Sequence, residues 1–519
     1  MAKYVAAVDI GTTGSKGSVF SLTGEMIASA YREYPCTYPK PGWVEQDADL
    51  LVRSAMEALS EAINKAASSS FNISSADIVS VSVSAQRCCG IFLDKDEKQL
   101  RPMISWQDNR TPVEVAEIEE KISGEEYYKK TGYPNSTTWL LSKMMWVRKN
   151  EPEVWAKTDR VVQMHDYFLR ALGVDEYFVD YNDAGFFGIF DSVSCAWDKD
   201  LLNLFEIDPA ILPVPAESGT KAGLVSKEAS KLSGLAEGAI IAIGAGDQCA
   251  GSLGAGITGK GSLSISMGTA GAVNAYLDIP FRDPNGAGMV TCHSQKGGWL
   301  WEGHQAAAAG VYRWFRDEVA ALEKVQTEES GEDFYELMNK KMEAVPAGSK
   351  GLVFLPYYAG AATPRYNSSA RGTLVGLTFA HDRACMARAY LEGITLDMYE
   401  LILAVQKSGT PVDDVRILGG PTKSALWNQI QADVYGIPVR TLNVTDATLL
   451  GAAILAAVGA GLFSSIKEGA DEMVQMKEEY KPDAKNHVMY QDLYKLYCKV
   501  YDSLNGDVYN SLADFQERF

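Results

Sequence analysis

Residues 5–22 read VAAVDIGTTGSKGSVFSL, an apolar run that ends on Asp9, turns through glycines and threonines, and leaves as a second apolar-alternating run. These residue types suit a phosphate group. In such a hairpin turn the backbone N–H groups of Gly11 to Ser15 can converge on phosphate oxygens, the hydroxyls of Thr12 and Thr13 add donors, and Lys16 adds positive charge. Asp9, at the strand end, can hold Mg²⁺ through water. The plain alternative is a hairpin whose aspartate serves only the turn.

Other segments bear on that choice. SAQRCCG from Ser84, SWQDNRT from Ser105 and GAGDQCAG from Gly244 each place a polar cluster at or after the carboxyl end of an apolar run. That is where α/β sheets build their ligand crevice, and three such clusters suggest a pocket. Taken singly, Asp247 reads as a helix N-cap, Arg87 as a surface ion pair and Trp106 as a core aromatic. Cys88 and Cys89 read as packed thiols, because no histidine partner is identifiable for either. The stretch GAGITGKGS from Gly254 satisfies GxGxxG and nearly completes a phosphate-binding GxxxxGK[ST], with Gly261 where Ser or Thr belongs. A strand-like SLSISM follows it, and without a helix N-terminus there is nothing to hold phosphate, so the stretch reads as an inter-domain link.

The elements that position these residues are legible in outline. Strands are expected over 4–10, 16–22 and 26–33 as an antiparallel meander, followed by a helix from Asp47 to Ala67 and a strand from Ile78 to Ser84. Similar ingredients recur after Ser262, where VRILGG from Val415 precedes a helix, the strand IPVRTL and a helix from Thr445. Each half sets a Gly-Thr turn at the start of a strand pair, Gly11-Thr12-Thr13 and Gly268-Thr269. Two related α/β domains changing over near Gly251 to Lys260 fit a chain of 519 residues, with domains expected over 1–255 and 256–519. Tyr490, Leu493, Tyr497, Val500 and Leu504 fall at helical spacing and predict a terminal packing helix.

Composition narrows the function classes. A formal charge of −19 repels phosphate backbones and anionic lipid, which argues against nucleic-acid and membrane-surface binding. The longest apolar stretch, Leu449 to Phe463, is shorter than a bilayer requires and reads as an internal helix. Eight cysteines without metal-ligand spacing, together with no basic and apolar leader pattern, lead us to expect reduced thiols in a cytoplasm.

Taken together, DIGTTGSKGSVF, PGWVEQD from Pro41, WQDNRT, GDQCAGSLGAG, SMGTAG, FLPYYAGAATPRYNSSARGTLVGLT from Phe354, EGITLDMYELI from Glu392 and LGGPTKSALWNQIQADVYGIPV from Leu418 resemble the FGGY carbohydrate kinases, the xylulokinase and glycerol kinase group. The resemblance spans nearly the whole chain. It implies two ribonuclease-H-like domains of the actin and hexokinase type with a catalytic cleft between them. It also implies a role for ATP and Mg²⁺, with Asp9 the metal-linked aspartate. Thr12, Thr13 and Lys16 match the first phosphate loop, Thr269 the second, and Gly419, Gly420 and Ser424 the adenosine-binding turn. Asp247 matches the catalytic base, which takes the proton a sugar hydroxyl loses as it attacks the γ-phosphate. Arg87, Cys88, Trp106 and Gln248 fall at acceptor-binding positions, where the planar fork of Arg87 could bind two adjacent hydroxyls or a carboxylate.

The chain departs from the xylulokinase pattern Gln-Met-His at Gln86-Arg87-Cys88, while glycerol kinases place Gln-Arg-Glu there. Leu140, Cys385 and Tyr390 also depart from the family's signatures. Against those departures, whole-chain similarity to xylulokinases, including PGWVEQD, makes a ketopentose such as xylulose the first expectation, with glycerol or another polyol second and a linear signalling sugar third. The alternative of another class is a non-catalytic actin-like nucleotide-binding module. The expected partners are the small sugar or polyol and ATP, without nucleic acid or membrane, and a homodimer is left open.

Overall fold

The computed structural model describes residues 3–444 and 446–518. Strands Tyr4–Ile10, Gly14–Ser21 and Met26–Glu33 form the antiparallel meander, with Asp9 opposite Lys16 across the first hairpin. The helix Ala48–Ala67 starts at Asp47, whose carboxylate accepts the N–H groups of Asp49 and Leu50 at 3.0 and 3.3 Å. Its Leu51, Ala55, Leu59, Ile63 and Ala66 are buried in the first domain's core. Strand Ile78–Ala85 then returns parallel to Tyr4–Ile10, a pairing that the crossover through this helix makes possible.

The first sheet runs Lys221–Leu224, Ile240–Ala242, Ile78–Ala85, Tyr4–Ile10, Gly14–Ser21, Met26–Glu33, and Ala245–Gly246 also pairs with Ile78–Ala85. The second runs Met289–Cys292, Trp299–Gln305, Gly271–Leu277, Gly261–Met267, Val412–Gly419, Val439–Leu442, Met476–Tyr480. Both follow one plan: an antiparallel meander, a parallel strand beside its first member, a further parallel strand, and an antiparallel edge. This is the duplicated α/β architecture the sequence leads one to expect. Its equivalences are informative: the turn after Ile10 corresponds to the turn after Met267, and the end of Ile78–Ala85 to the end of Val412–Gly419.

Several boundaries move from their expected places. Gly246, not Asp247, occupies the N-cap position, and Asp247 opens the helix Asp247–Gly254. Thr445 lies outside the described residues, and the helix expected from it runs Ala447–Gly459 behind Asp446, whose Oδ1 accepts the Leu449 N–H at 3.2 Å. In the expected packing helix Ala484–Leu504, which a further helix Asp507–Arg518 follows, the buried residues are Tyr490, Leu493, Tyr497 and Tyr501, with Val500 and Leu504 half-packed. The Gly-rich link ends in a strand, and its Lys260 is paired with Asp278 at 2.7 Å. Among the described residues no helix is long and apolar enough to cross a membrane.

The helices Asp247–Gly254 and Ala447–Gly459 pack against one another between the sheets, in a cluster with Val5, Ala7, Phe20 and Leu300. Glycine sets their separation. A Cβ on Gly254 would lie 1.8 Å from the Ala447 carbonyl oxygen, and one on Gly451 would lie 1.9 Å from that of Ala250. In Gly451→Ala, helix propensity alone favours the variant by about 1 kcal/mol, whereas forcing the backbones apart costs about 1–3 kcal/mol. We expect a lower melting temperature in thermal denaturation; a higher one would show that the two helices separate freely.

Candidate active site

The first turn is braced on its carbonyl side. Gln46 Nε2 donates to Thr12 O at 2.8 Å, the Tyr34 N–H to Thr13 O at 3.2 Å, and the Tyr34 hydroxyl to Gly11 O. Thr12 Oγ1 accepts from Trp106 Nε1 at 2.9 Å, which leaves its own O–H to donate. Gln86 Nε2 reaches Gln46 Oε1 at 2.9 Å and its N–H donates to Ile10 O at 2.8 Å, so the two strand ends share one hydrogen-bonded chain.

Two motifs that look functional are largely scaffolding. In PGWVEQD, Trp43 lies under the Arg110 guanidinium at 3.9 Å, Glu45 pairs with Arg101 and Arg110, Gln46 props the turn and Asp47 starts the helix. In WQDNRT, Arg110 is paired with Asp108 at 2.7 Å, and Asp108 Oδ2 also accepts the Val44 N–H at 2.6 Å. Glu45, Gln46, Arg101, Asp108 and Arg110 are buried, whereas Trp106 keeps 41% of its surface open.

Carboxylates converge beyond the turn. Asp9 is half-buried at its strand end, and its Oδ1, itself buried, has no hydrogen-bond partner among the described residues. Burial, then the charges of Asp446 and Asp247, push its carboxyl up to about 7. Lys16 reaches across to Asp446 Oδ2 at 2.7 Å, and that partner holds the ammonium above its ordinary range against its burial. Asp247 leaves 37% of its side chain open, and its Oδ1 accepts the Gln248 N–H at 2.7 Å and lies 3.0 Å from Arg87 Nε. Burial raises its carboxyl while Arg87 pulls the other way. Such a carboxylate can accept a proton from a hydroxyl placed over it.

Arg87 is the surprise. Its two terminal nitrogens donate to the two oxygens of Glu302 at 2.9 and 2.8 Å, so the fork offered to substrate by the sequence is already filled. The guanidinium also stacks at 4.4 Å on Phe186. Glu302 lies in strand Trp299–Gln305 of the second sheet and also contacts His304 Nε2 at 2.9 Å. Arg87 holds the Glu302 carboxyl far below the usual carboxylate range despite complete burial. Cys88 adopts a positive φ of 63° with its N–H on Gln163 Oε1 and its carbonyl on the buried Lys143 Nζ, both at 2.7 Å. Its thiol packs in an aromatic cluster, where burial pushes it far up and keeps it neutral. Gln248 Oε1 accepts from Asn274 Nδ2 at 3.3 Å.

A cavity of about 740 Å³ opens in the second domain, lined by Gly268, Thr269, Arg313, Tyr335, Asn339, Gly420 and Ser424 among others. Arg313 Nη2 donates to Thr269 Oγ1 at 3.3 Å. Ser424 caps the helix Ala425–Tyr435 through the Trp427 N–H at 3.2 Å and donates to Asn339 Oδ1 at 3.0 Å. Gly419 lies just behind, with φ 95° and room for no side chain, since a Cβ would lie 2.2 Å from Met267 O. Sequence reasoning missed Asp446, Glu302, His304, Arg313 and Asn339. Asp446 carried a signal, an acid directly before an apolar helix, and Glu302 a weaker one, a lone acid in the apolar strand WLWEGHQ.

Two sheets of one plan, joined across the helices Asp247–Gly254 and Ala447–Gly459 and carrying a glycine turn at the same place in each, define a phosphotransferase of the actin and hexokinase type. The N-terminal domain of the FGGY family of carbohydrate kinases matches residues 4–254, and the C-terminal domain matches 263–460. The chain is 31% identical to the xylulose kinase of Bacillus subtilis (strain 168), over 99% of its own length and 100% of that protein. It is 28% identical to the gluconokinase of Bacillus licheniformis, over 99% of each. The crystal structure of ligand-bound xylulose kinase from Lactobacillus acidophilus superposes with a TM-score of 0.88 at 26% identity, covering 98% of this chain and 100% of that one. The chain belongs to the FGGY family of carbohydrate kinases. It is an ATP-dependent phosphotransferase acting on a carbohydrate hydroxyl, which sets aside the non-catalytic alternative.

Arg110 and Trp106, four residues apart in one motif, should separate on mutation. Arg110→Met strands the buried carboxylate of Asp108 and leaves Glu45 to Arg101 alone, a loss of about 3–5 kcal/mol for a broken buried pair. Trp106→Ala removes an exposed ring and one hydrogen bond. Thermal melts should show a large drop for the first and little change for the second; equal drops would make Trp106 scaffolding as well.

Proposed function

We propose that this kinase phosphorylates a ketopentose such as xylulose, with Asp247 as the general base. The observation that carries the reading is Asp247 itself: an open carboxylate at a helix start, held by Arg87 and close enough to Asp9 to raise its pKa. Full-length similarity to a xylulose kinase supports the choice of sugar.

In this reading the sugar lies against Trp106 and Gln248 with the reacting hydroxyl over Asp247. The adenosine occupies the 740 Å³ cavity, with Gly419 and Gly420 letting the backbone approach it and Ser424 and Asn339 at its edge. The phosphates lie between the two equivalent turns, where the N–H groups beyond Gly11, the hydroxyls of Thr12 and Thr13, and Thr269 donate to them. Lys16 stays beside Asp446 and adds charge at the phosphate end. Asp247 takes the proton as the new O–P bond forms, while donors aimed at the transferring oxygens stabilise the charge spread over them. Closure of the domains, placed at a boundary of 255/256, excludes water from the reacting groups.

The buried, unpartnered Oδ1 of Asp9, with Asp446 and Asp247 nearby, fits an Mg²⁺ held through water. When bound, such an ion neutralises phosphate charge. The residues that would hold it are Asp9 first and Asp446 beside it.

Turnover assays with ATP and a panel of ketopentoses, polyols and aldonates test the reading. Asp247→Asn should lower kcat at least about a hundredfold, the contribution typical of a general base, with the KM values for ATP and sugar nearly unchanged. An equal loss of sugar binding and turnover would make Asp247 a structural residue. Asp9→Asn should instead raise the Mg²⁺ concentration needed for half-maximal rate by at least about tenfold, roughly 1.4 kcal/mol. An unchanged Mg²⁺ requirement would place the ion elsewhere.

A further inference from the structure

The chain is similar both to kinases of a neutral sugar and to kinases of an aldonate, and the two substrates differ by a full negative charge. A guanidinium in the acceptor pocket would ordinarily favour the charged one, because its planar fork matches a carboxylate in two hydrogen bonds. In this chain the fork is occupied by the protein. Nη1 and Nη2 of Arg87 hold Glu302 Oε2 and Oε1 at 2.9 and 2.8 Å, and Nε faces Asp247 Oδ1 at 3.0 Å. Glu302 has no exposed surface, so neither water nor substrate reaches its far side, and His304 Nε2 fixes its Oε1 from a third direction at 2.9 Å. Arg87 has 10% of its side chain open and its face covered by Phe186.

Charge counting gives the consequence. Asp247 and Glu302 carry two negative charges against the single permanent positive charge of Arg87, and His304 lies on the Glu302 side of that pair, so the acceptor end of the cleft is anionic at Asp247, where the substrate arrives. An incoming carboxylate meets Asp247 with its natural counter-ion already engaged, and like charges brought together in a partly buried site cost several kcal/mol. A hydroxyl carries no such penalty and can still accept from an Nη hydrogen not used by Glu302.

We infer that Glu302 is a specificity-determining positioning residue: by occupying Arg87 it makes this kinase select neutral ketoses and polyols and reject aldonates. The inference rests on the kinase reading above and names its substrate class. Because Glu302 comes from the second sheet and Arg87 from the first, the selection operates once the two domains are together.

The test compares wild type, Glu302→Gln and Glu302→Asp in kcat/KM for D-xylulose and D-gluconate at saturating ATP, with calorimetric titration of both sugars. Wild type should favour xylulose over gluconate by at least about a hundredfold, roughly 2.7 kcal/mol. Excess gluconate should leave xylulose phosphorylation unslowed. Glu302→Gln, which frees the fork and removes one negative charge, should narrow the ratio at least about tenfold, mainly through a lower gluconate KM. The KM for ATP should hold, and Glu302→Asp should restore the wild-type ratio. A general structural role for Glu302 would depress both sugars alike and leave their ratio unchanged. Wild type using gluconate as readily as xylulose, or a folded Glu302→Gln with an unaltered ratio, overturns the inference. If Glu302→Gln does not fold, the wild-type ratio and the competition decide. Titrations in which xylulose binds and gluconate does not, without any turnover of xylulose, would support the inference and sink the proposed reaction instead.

Discussion

Arg87 stands between two carboxylates that come from different parts of the chain, and the corner proposed above as the acceptor end of the cleft is organised around it. Its presence makes a buried Glu302 tolerable: without the guanidinium, a carboxylate with no exposed surface would be neutral or would disrupt the second sheet. Its Nε orients Asp247, and its stacking on Phe186 ties the strand end to the aromatic cluster of the first domain. The backbone just after it is equally constrained, since Cys88 is pinned through its N–H and its carbonyl in a left-handed conformation that a non-glycine residue adopts only under restraint. The rigidity of this corner explains how one side chain can join two domains.

The duplication explains why chemistry collects where it does. In both sheets the first hairpin turn and the end of the adjacent parallel strand point to the same side, and the sheets face one another across the helices Asp247–Gly254 and Ala447–Gly459. The strand that ends in Gln86-Arg87 in one domain corresponds to the strand that ends in Gly419-Gly420 in the other. The same place in the fold has been given a charged side chain in one copy and bare backbone in the other. That difference suits one end to small polar groups and the other to close approach by a flat ring. The helix contact that sets the distance between them depends on glycines, because any Cβ at Gly254 or Gly451 meets backbone within 2 Å.

Much of this was legible in the sequence, and the limits are physical. Local patterns gave the meander, the long helix capped by Asp47 and the turn at Gly11, because each is decided by residues within a few positions of one another. The phosphate turns, Asp247 and the Gly419 turn came from motif order. Asp446, Glu302 and Asn339 did not, because each acts through a partner far away in the chain: Lys16 from Asp446, Arg87 from Glu302 and Ser424 from Asn339. The same limit explains the reading of Arg87 as an open fork. A side chain's type states which bonds it can make, and only its neighbours decide which it has made. Conversely, WQDNRT and PGWVEQD look catalytic as strings, yet most of their polar atoms satisfy one another in the interior.

On the proposed assignment of the cleft, its acceptor and phosphate ends handle excess negative charge by different means. At the acceptor end, Arg87 offsets Asp247 and Glu302 within the protein, so the pocket is settled before any ligand arrives. At the phosphate end, Lys16 pairs directly with Asp446 and reaches Asp9 only through space, and the half-buried Asp9 is left with a carboxyl raised to about 7 and an Oδ1 without a hydrogen-bond partner among the described residues. A site left short of positive charge favours a divalent cation over an additional protein side chain, since a cation arriving with the nucleotide supplies charge only when phosphate is present. The fixed guanidinium therefore suits an uncharged acceptor that must be oriented, and the unbalanced carboxylate suits a charged donor that brings its counter-ion with it. On that assignment, the division of labour between sugar and nucleotide follows from which carboxylates the protein neutralises for itself.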